Sequence, residues 1–263
     1  MNGNDGVRAT IFTGRFGSGK TEAALNYAVL LACGTESDGL STIAIEAPTA
    51  VKPPCEEGVI LVDLDLVTPY FRSREAAQAA QKQGIEVIAP LAIGQHLDTP
   101  AVTPEILGAI QQYERPLVLD VGGDRQGARA LGQFSSAIAL RGYTMHFVAN
   151  PYRPFTDSLD GLAASVAEIE ESSRLRVTSL VSNPNLIGET TAQAVVDGHA
   201  RIKAFAQALG LPVAFVCMER RWTLKLGGSQ ILEPVLTIDR FFVMSWEEER
   251  SGTREIEAVG KGT

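Results

Sequence analysis

Cysteine is scarce in this chain: Cys33, Cys55 and Cys217 are its three, and no two form a C-x-x-C pair. A disulfide framework is not expected, and a reducing cytoplasm is the compartment that this usage suggests. An iron–sulfur cluster bridging two copies needs only one or two cysteines per subunit, so the count alone does not decide that point. Long apolar runs are missing too. No stretch approaches the roughly 18 apolar residues of a membrane span. Met1-Asn2-Gly3-Asn4-Asp5-Gly6 lacks the basic-then-apolar order of a secretion signal. Positive charge is in deficit, with 23 Lys and Arg against 31 Asp and Glu, a formal net charge of -8. General binding to nucleic acid or to an anionic membrane is therefore not expected. Histidine is limited to His96, His146 and His199, spaced too widely for a built-in metal site. His146 lies in an apolar run, where a core role is the expectation. No internal repeat or low-complexity tract occurs. What is left is ordinary globular composition, 45% hydrophobic and 21% charged, over 263 residues, a length that suits one α/β domain with insertions or two small domains.

The most informative stretch is Gly14-Arg15-Phe16-Gly17-Ser18-Gly19-Lys20-Thr21, which fits the phosphate-binding pattern G-x-x-x-x-G-K-[ST]. The apolar run Ala9-Thr10-Ile11-Phe12 before it reads as a strand, and Thr21 to Ala32 after it reads as a helix. That order lets successive backbone N–H groups and a helix N-terminus wrap one polyphosphate. The residues expected to hold a nucleotide here are Gly14, Arg15, Gly17, Ser18, Gly19, Lys20, Thr21 and Glu22. Lys20 is expected at the β- and γ-phosphates and Thr21 on Mg²⁺. The glycines permit backbone geometry and close approach that a side chain would block.

Further along, strand-like runs alternate with helix-like ones. Strands are predicted at Val59–Val62, Ile85–Pro90, Pro116–Asp120, Met145–Asn150, Val177–Asn183 and Pro212–Cys217. Helices are predicted near Ser73–Gln83, Pro104–Tyr113, Phe155–Ser173 and Val195–Leu209. Alternation of this kind implies a three-layer α/β fold with a mostly parallel, doubly wound sheet. Residues 34–58, rich in Gly and Pro, read as an insertion. Residues 1–245 are expected to form the nucleotide-binding domain, and 246–263 a charged, poorly ordered tail.

Several strands end in polar residues, where parallel sheets bind ligands. Asp120 opens Asp120-Val121-Gly122-Gly123, of the shape D-x-x-G. A carboxylate there can hold the water shell of Mg²⁺, the Gly123 N–H can meet a γ-phosphate, and Asp124 can orient water. A strand-ending Asp in a Gly turn is the plainer alternative. Asp63 and Asp65 flank one leucine, so in an extended segment they share a face. One suits the metal shell and the other an attacking water. Arg72 and Arg74 can contact an anion or lie on a solvated helix start. Asn150 and Asn183 each suit the edge of adenine or a turn before Pro, and Asn183 is preferred for the base. No N-K-x-D guanine signature occurs, so ATP is expected over GTP.

In this order the motifs resemble the SIMIBI class of P-loop NTPases, especially the MinD/ParA/Mrp and nitrogenase-iron-protein-like ATPases. Val59-Ile60-Leu61-Val62-Asp63-Leu64-Asp65 is similar to their second motif, and Asp120 to Gly123 to their second switch. Stretches 62–75, 120–132, 150–156 and 180–191 are also similar to a little-described group of bacterial ATP-binding proteins within that class. The resemblance covers most of residues 7–217, and only the phosphate loop within it is highly specific. It implies Lys20, Asp65, Asp120 and Arg15 as catalytic residues, with Asp65 orienting water, and Thr21, Asp63 and Asp120 on the metal side. It implies Gly123 and Asn183 at the nucleotide, ATP and Mg²⁺ as cofactors, and a homodimer as the working form. One departure stands out: Arg15 replaces the class's signature lysine, whose charge reaches the partner's nucleotide. Arg15 is thus expected either to act in trans or to sit on the loop surface. The tail carries Glu247-Glu248-Glu249, against a basic membrane-targeting helix. The leading expectation is an ATPase switch with an unidentified protein client, such as a metalloenzyme, a maturation protein or an assembly. Alternatives are an ATP-dependent kinase or ligase of the dethiobiotin-synthetase or cobyrinate-amidation kind with a small-molecule acceptor, and a nucleotide-binding regulator without turnover.

Overall fold

Residues 8–33, 58–65, 80–89, 104–226 and 230–241 are described by the structure, a computed structural model. The expected insertion at 34–58 except Gly58, most of the helix at 73–83, Cys55, Arg72, Arg74, His96 and the tail at 246–263 lie outside the described residues.

Short runs of Val, Ile and Leu, apolar on both sides, form strands covered on both faces. They are β1 (Ala9–Thr13), β2 (Val59–Leu64), β3 (Ile85–Ile88), β4 (Leu117–Val121), β5 (Tyr143–Ala149), β6 (Ser179–Ser182), β7 (Val213–Glu219) and β8 (Val235–Ile238). All pair in parallel, in the order β3-β2-β4-β1-β5-β6-β7-β8. The intervening helices are α1 (Lys20–Cys33), α2 (Pro104–Gln111), α3 (Arg125–Gly132), α4 (Ser135–Arg141), α5 (Leu159–Ser173), α6 (Ala192–Leu209) and α7 (Arg220–Leu226).

Alternation along each strand splits the core in two. Ile60, Val62 and Leu64 face one layer with Ile106, Leu131, Ile138, Ile169 and Ile202. Val59 and Leu61 face the other with α1, whose Ala23, Ala24 and Ala28 let it lie close on the sheet. The protein is thus α/β, with helices on both faces of an eight-stranded parallel sheet. Among the described residues no helix is long and apolar enough to cross a membrane.

The structure differs from the sequence expectation at several boundaries, each with a local cause. α5 starts at Leu159, not Phe155, because Phe155 takes a φ of 69° and the Ser158 hydroxyl accepts from the Gly161 N–H as the helix cap. α6 begins at Ala192, where Thr191 caps it. α3, with Gly127 and Gly132 in its eight residues, has weak helix propensity and was not expected. Asp124 caps it by accepting from the Gly127 N–H at 2.7 Å. α4, α7 and β8 are likewise additions. β8 brings the chain back to α1: the Asn26 carboxamide donates to the Asp239 carbonyl and accepts from the Asp239 N–H.

β1 has β4 on one side and β5 on the other, so chain crossovers leave in opposite directions beside it. A crevice opens at such a point, beyond the strand C-termini. Phe147 on β5 is fully buried under this region. Phe147→Ala is expected to lower unfolding free energy by about 3–5 kcal/mol, measured by urea denaturation; a loss under about 1 kcal/mol would refute that packing role.

Candidate functional site

The segment between β1 and α1 turns tightly, with the Ser18 N–H donating to the Arg15 carbonyl at 3.0 Å. Gly14, Gly17 and Gly19 all have positive φ. At Gly19 (φ 84°) a β-carbon would lie 2.2 Å from the Asn183 amide nitrogen. From β4, Gly123 presses on the loop so closely that a β-carbon there would lie 1.7 Å from the Gly14 carbonyl oxygen. Glycine at both positions is a steric requirement. The loop is therefore wedged between the ends of β4 and β6, and with the α1 N-terminus it makes a cradle of the kind that suits an anion.

Directly behind the cradle is a buried charge cluster. Lys20 pairs with Asp65 at 2.6 Å. The Asp65 N–H donates to the Asp63 carboxylate at 3.0 Å. Asp63 and Asp120 sit opposite each other in the β2–β4 ladder. All four side chains are buried. Burial alone would lower the Lys20 pKa, but Asp120 and Asp65 outweigh it and hold the ammonium above its ordinary value. Burial pushes the Asp120 carboxyl up to about 7, with Lys20 opposing and Asp63 adding to the rise. The Thr21 hydroxyl opposes the rise as well. Neither Asp120 oxygen has a partner at hydrogen-bond distance and angle. The hydroxyls of Thr13 and Ser18 are buried and unpartnered in the same way.

These orphaned atoms fit a phosphate and a divalent cation. Buried polar atoms ordinarily have partners, and here an unpaired carboxylate stands beside Thr21 and the cradle. Among the described residues no group of three or more His, Cys, Asp or Glu could hold a metal ion by itself. A cation here would then share its shell with water and phosphate oxygens, as Mg²⁺ does.

Other expected site residues take different places. The Asn183 amide donates to the Ser18 carbonyl at 2.6 Å, so Asn183 braces the loop, and this donor is not turned towards a base. The Glu22 carboxylate accepts from the Phe241 N–H at 3.1 Å and so faces the segment after β8. Asp124 is a helix cap. Asn150 is a turn former, accepting from the Tyr152 N–H and donating to the Asn185 carbonyl. Arg15 is held within its own chain: Nη2 pairs with Glu168, Nε donates to Ser165 at 2.9 Å and Nη1 to the Gly123 carbonyl at 3.4 Å. Its guanidinium also lies over the Phe155 ring. Sequence reasoning missed Ser165 and Glu168, which sit on α5 about 150 residues from Arg15 and carry no local signature.

No protein-family model matches the chain, and no curated protein matches it. Among solved structures the chain is similar to chloroplast FtsY from Physcomitrella patens, with a TM-score of 0.46 and 16% sequence identity. The match covers 82% of this chain and 60% of that one.

The Asp120 carboxyl has a folded pKa above its unfolded value, so the folded state favours its protonated form. Its contribution to stability is complete below the ordinary value of 3.8 and is lost as pH rises towards 7. Asp120→Asn stays uncharged and is expected to gain stability relative to the parent as pH rises through that window. Urea midpoints at about pH 5 and about pH 8 test this. An Asn variant no better off at the higher pH would contradict the assignment.

Proposed function

We propose that this chain is a Mg²⁺-dependent nucleotide-binding and hydrolysing switch, with ATP as the nucleotide. The observation that carries this reading is the glycine-wedged loop backed by Lys20 among Asp63, Asp65 and Asp120, one of whose carboxylates is buried and unpaired. The loop N–H groups and Lys20 would bind the phosphates. Thr21, Asp120 and Asp63 would hold Mg²⁺, directly or through water. When bound, Mg²⁺ would neutralise charge that builds on the phosphate oxygens.

The Lys20–Asp65 pair gives the reading its switch. Phosphate entering the cradle competes with Asp65 for the Lys20 ammonium. A released Asp65 carboxylate is then free to orient and deprotonate water near the cradle. Gly123 touches the Gly14 carbonyl, so the β4 turn is positioned to register what the loop holds. The preference for adenine rests on the missing guanine signature, because the Asn183 amide is spent on the loop. A homodimer is part of the proposal. Phe16, 78% exposed on the loop, suits a contact there, whereas Arg15 would first have to leave Glu168. The client is proposed to be a metalloenzyme, a maturation protein or an assembly.

Calorimetry and phosphate release with purified protein test the reading. Lys20→Ala is expected to weaken Mg²⁺–ATP binding by more than about tenfold. Asp65→Ala is expected to bind at least as well as the parent, since Lys20 loses its competitor, while turnover falls about 10²–10⁴-fold. Normal turnover in Asp65→Ala sinks the water-orienting role. Tight binding with no turnover in the parent would instead mark a nucleotide-binding regulator.

A further inference from the structure

Two arginines flank the phosphate loop, and they are in opposite states. Every nitrogen of the Arg15 guanidinium has a partner: Ser165, Gly123 or Glu168. Arg153 has none among the described residues, and its Nε is buried without a hydrogen-bond partner. Its side chain lies over Gly17. A β-carbon placed on Gly17 would be 3.5 Å from Nε, 3.7 Å from Cδ and 3.8 Å from Cζ of Arg153.

The backbone that presents Arg153 is firmly held. It belongs to the turn Asn150-Pro151-Tyr152-Arg153-Pro154 after β5. The Arg153 N–H donates to the Asn150 carbonyl at 3.1 Å. The same carbonyl accepts from the Thr156 hydroxyl at 2.6 Å, and the Tyr152 hydroxyl donates to the Ala194 carbonyl at 2.6 Å. A fixed backbone, a guanidinium with no hydrogen-bond partner among the described residues and a position close over Gly17 together describe a cation awaiting an acceptor. A phosphate matches that planar fork and offers only acceptors.

From this geometry we infer that Arg153 is a phosphate-binding residue acting in cis, its guanidinium donating to non-bridging oxygens of a nucleoside triphosphate held in the Gly14–Thr21 loop. The inference rests on the nucleotide-binding reading above and adds to it a second cation. Lys20 meets the phosphates from the side of the sheet, and Arg153 meets them from the outer turn at Gly17. The charge expected of Arg15 is thus supplied within one chain by a different arginine, and Arg15 is left to tie the loop to α5.

Binding of Mg²⁺–ATP and of Mg²⁺–tripolyphosphate, measured by calorimetry on the full chain, tests it. Arg153→Ala and Arg153→Gln are expected to weaken both ligands by about ten- to a hundredfold. Arg153→Lys should recover part of the loss, which a packing role for the stem would not explain for Gln against Lys. Should the Ala variant fail to fold, the Gln and Lys variants carry the comparison, each checked by its thermal midpoint. Binding within about twofold of the parent in Arg153→Gln, alongside loss of binding in Lys20→Ala, overturns this inference and leaves the nucleotide reading standing. A parent protein that binds neither ligand overturns both.

Discussion

One buried ammonium group holds the centre of this structure together. Lys20 is enclosed with Asp63, Asp65 and Asp120, delivered by adjacent strands whose register sets Asp63 opposite Asp120. An isolated charge in such a place costs several kcal/mol, and one cation cannot neutralise three carboxylates. The arrangement distributes the difficulty. Asp65 takes Lys20, Asp63 takes a backbone N–H, and the Asp120 carboxyl is pushed up to about 7 by burial. The negative charge left over is the chemical reason a divalent cation suits this corner of the sheet.

The loop in front of the cluster depends on a steric condition as strict as the electrostatic one. Gly19 lies against Asn183, and Gly123 against Gly14. The loop cannot relax away from the carboxylates because β4 and β6 press on it from both sides. Lys20 therefore meets Asp65 through packing that fixes both ends of the pair.

Much of this was legible in the sequence because the signals were local. The loop motif, the apolar runs and their polar ends gave the parallel α/β sheet and brought Lys20, Asp63, Asp65 and Asp120 into one neighbourhood. Where the reading fell short, partners distant in sequence decide the outcome. Asn183 sits at a strand end as expected, but whether its amide meets a base or the Ser18 carbonyl depends on how closely β6 approaches the loop. Arg15 carries a charge at the position expected, yet Ser165 and Glu168 on α5 determine where that charge goes. α3 was invisible because its glycines oppose a helix locally, while Asp124 caps it and Leu131 packs into the core.

The return of the chain from β8 to α1 has a consequence for biosynthesis. The Asn26 carboxamide is completed by the Asp239 backbone, and the Glu22 carboxylate accepts from the Phe241 N–H. Both residues sit in the first turns of the helix that the phosphate loop opens. A nascent chain that has not yet emerged past β8 carries the whole loop motif but lacks the Asp239 and Phe241 backbone groups that these two side chains bind. The loop signature is thus translated well before β8, and one clasp on its helix waits for that later strand. Truncated or stalled products would carry the motif on a helix that lacks this clasp.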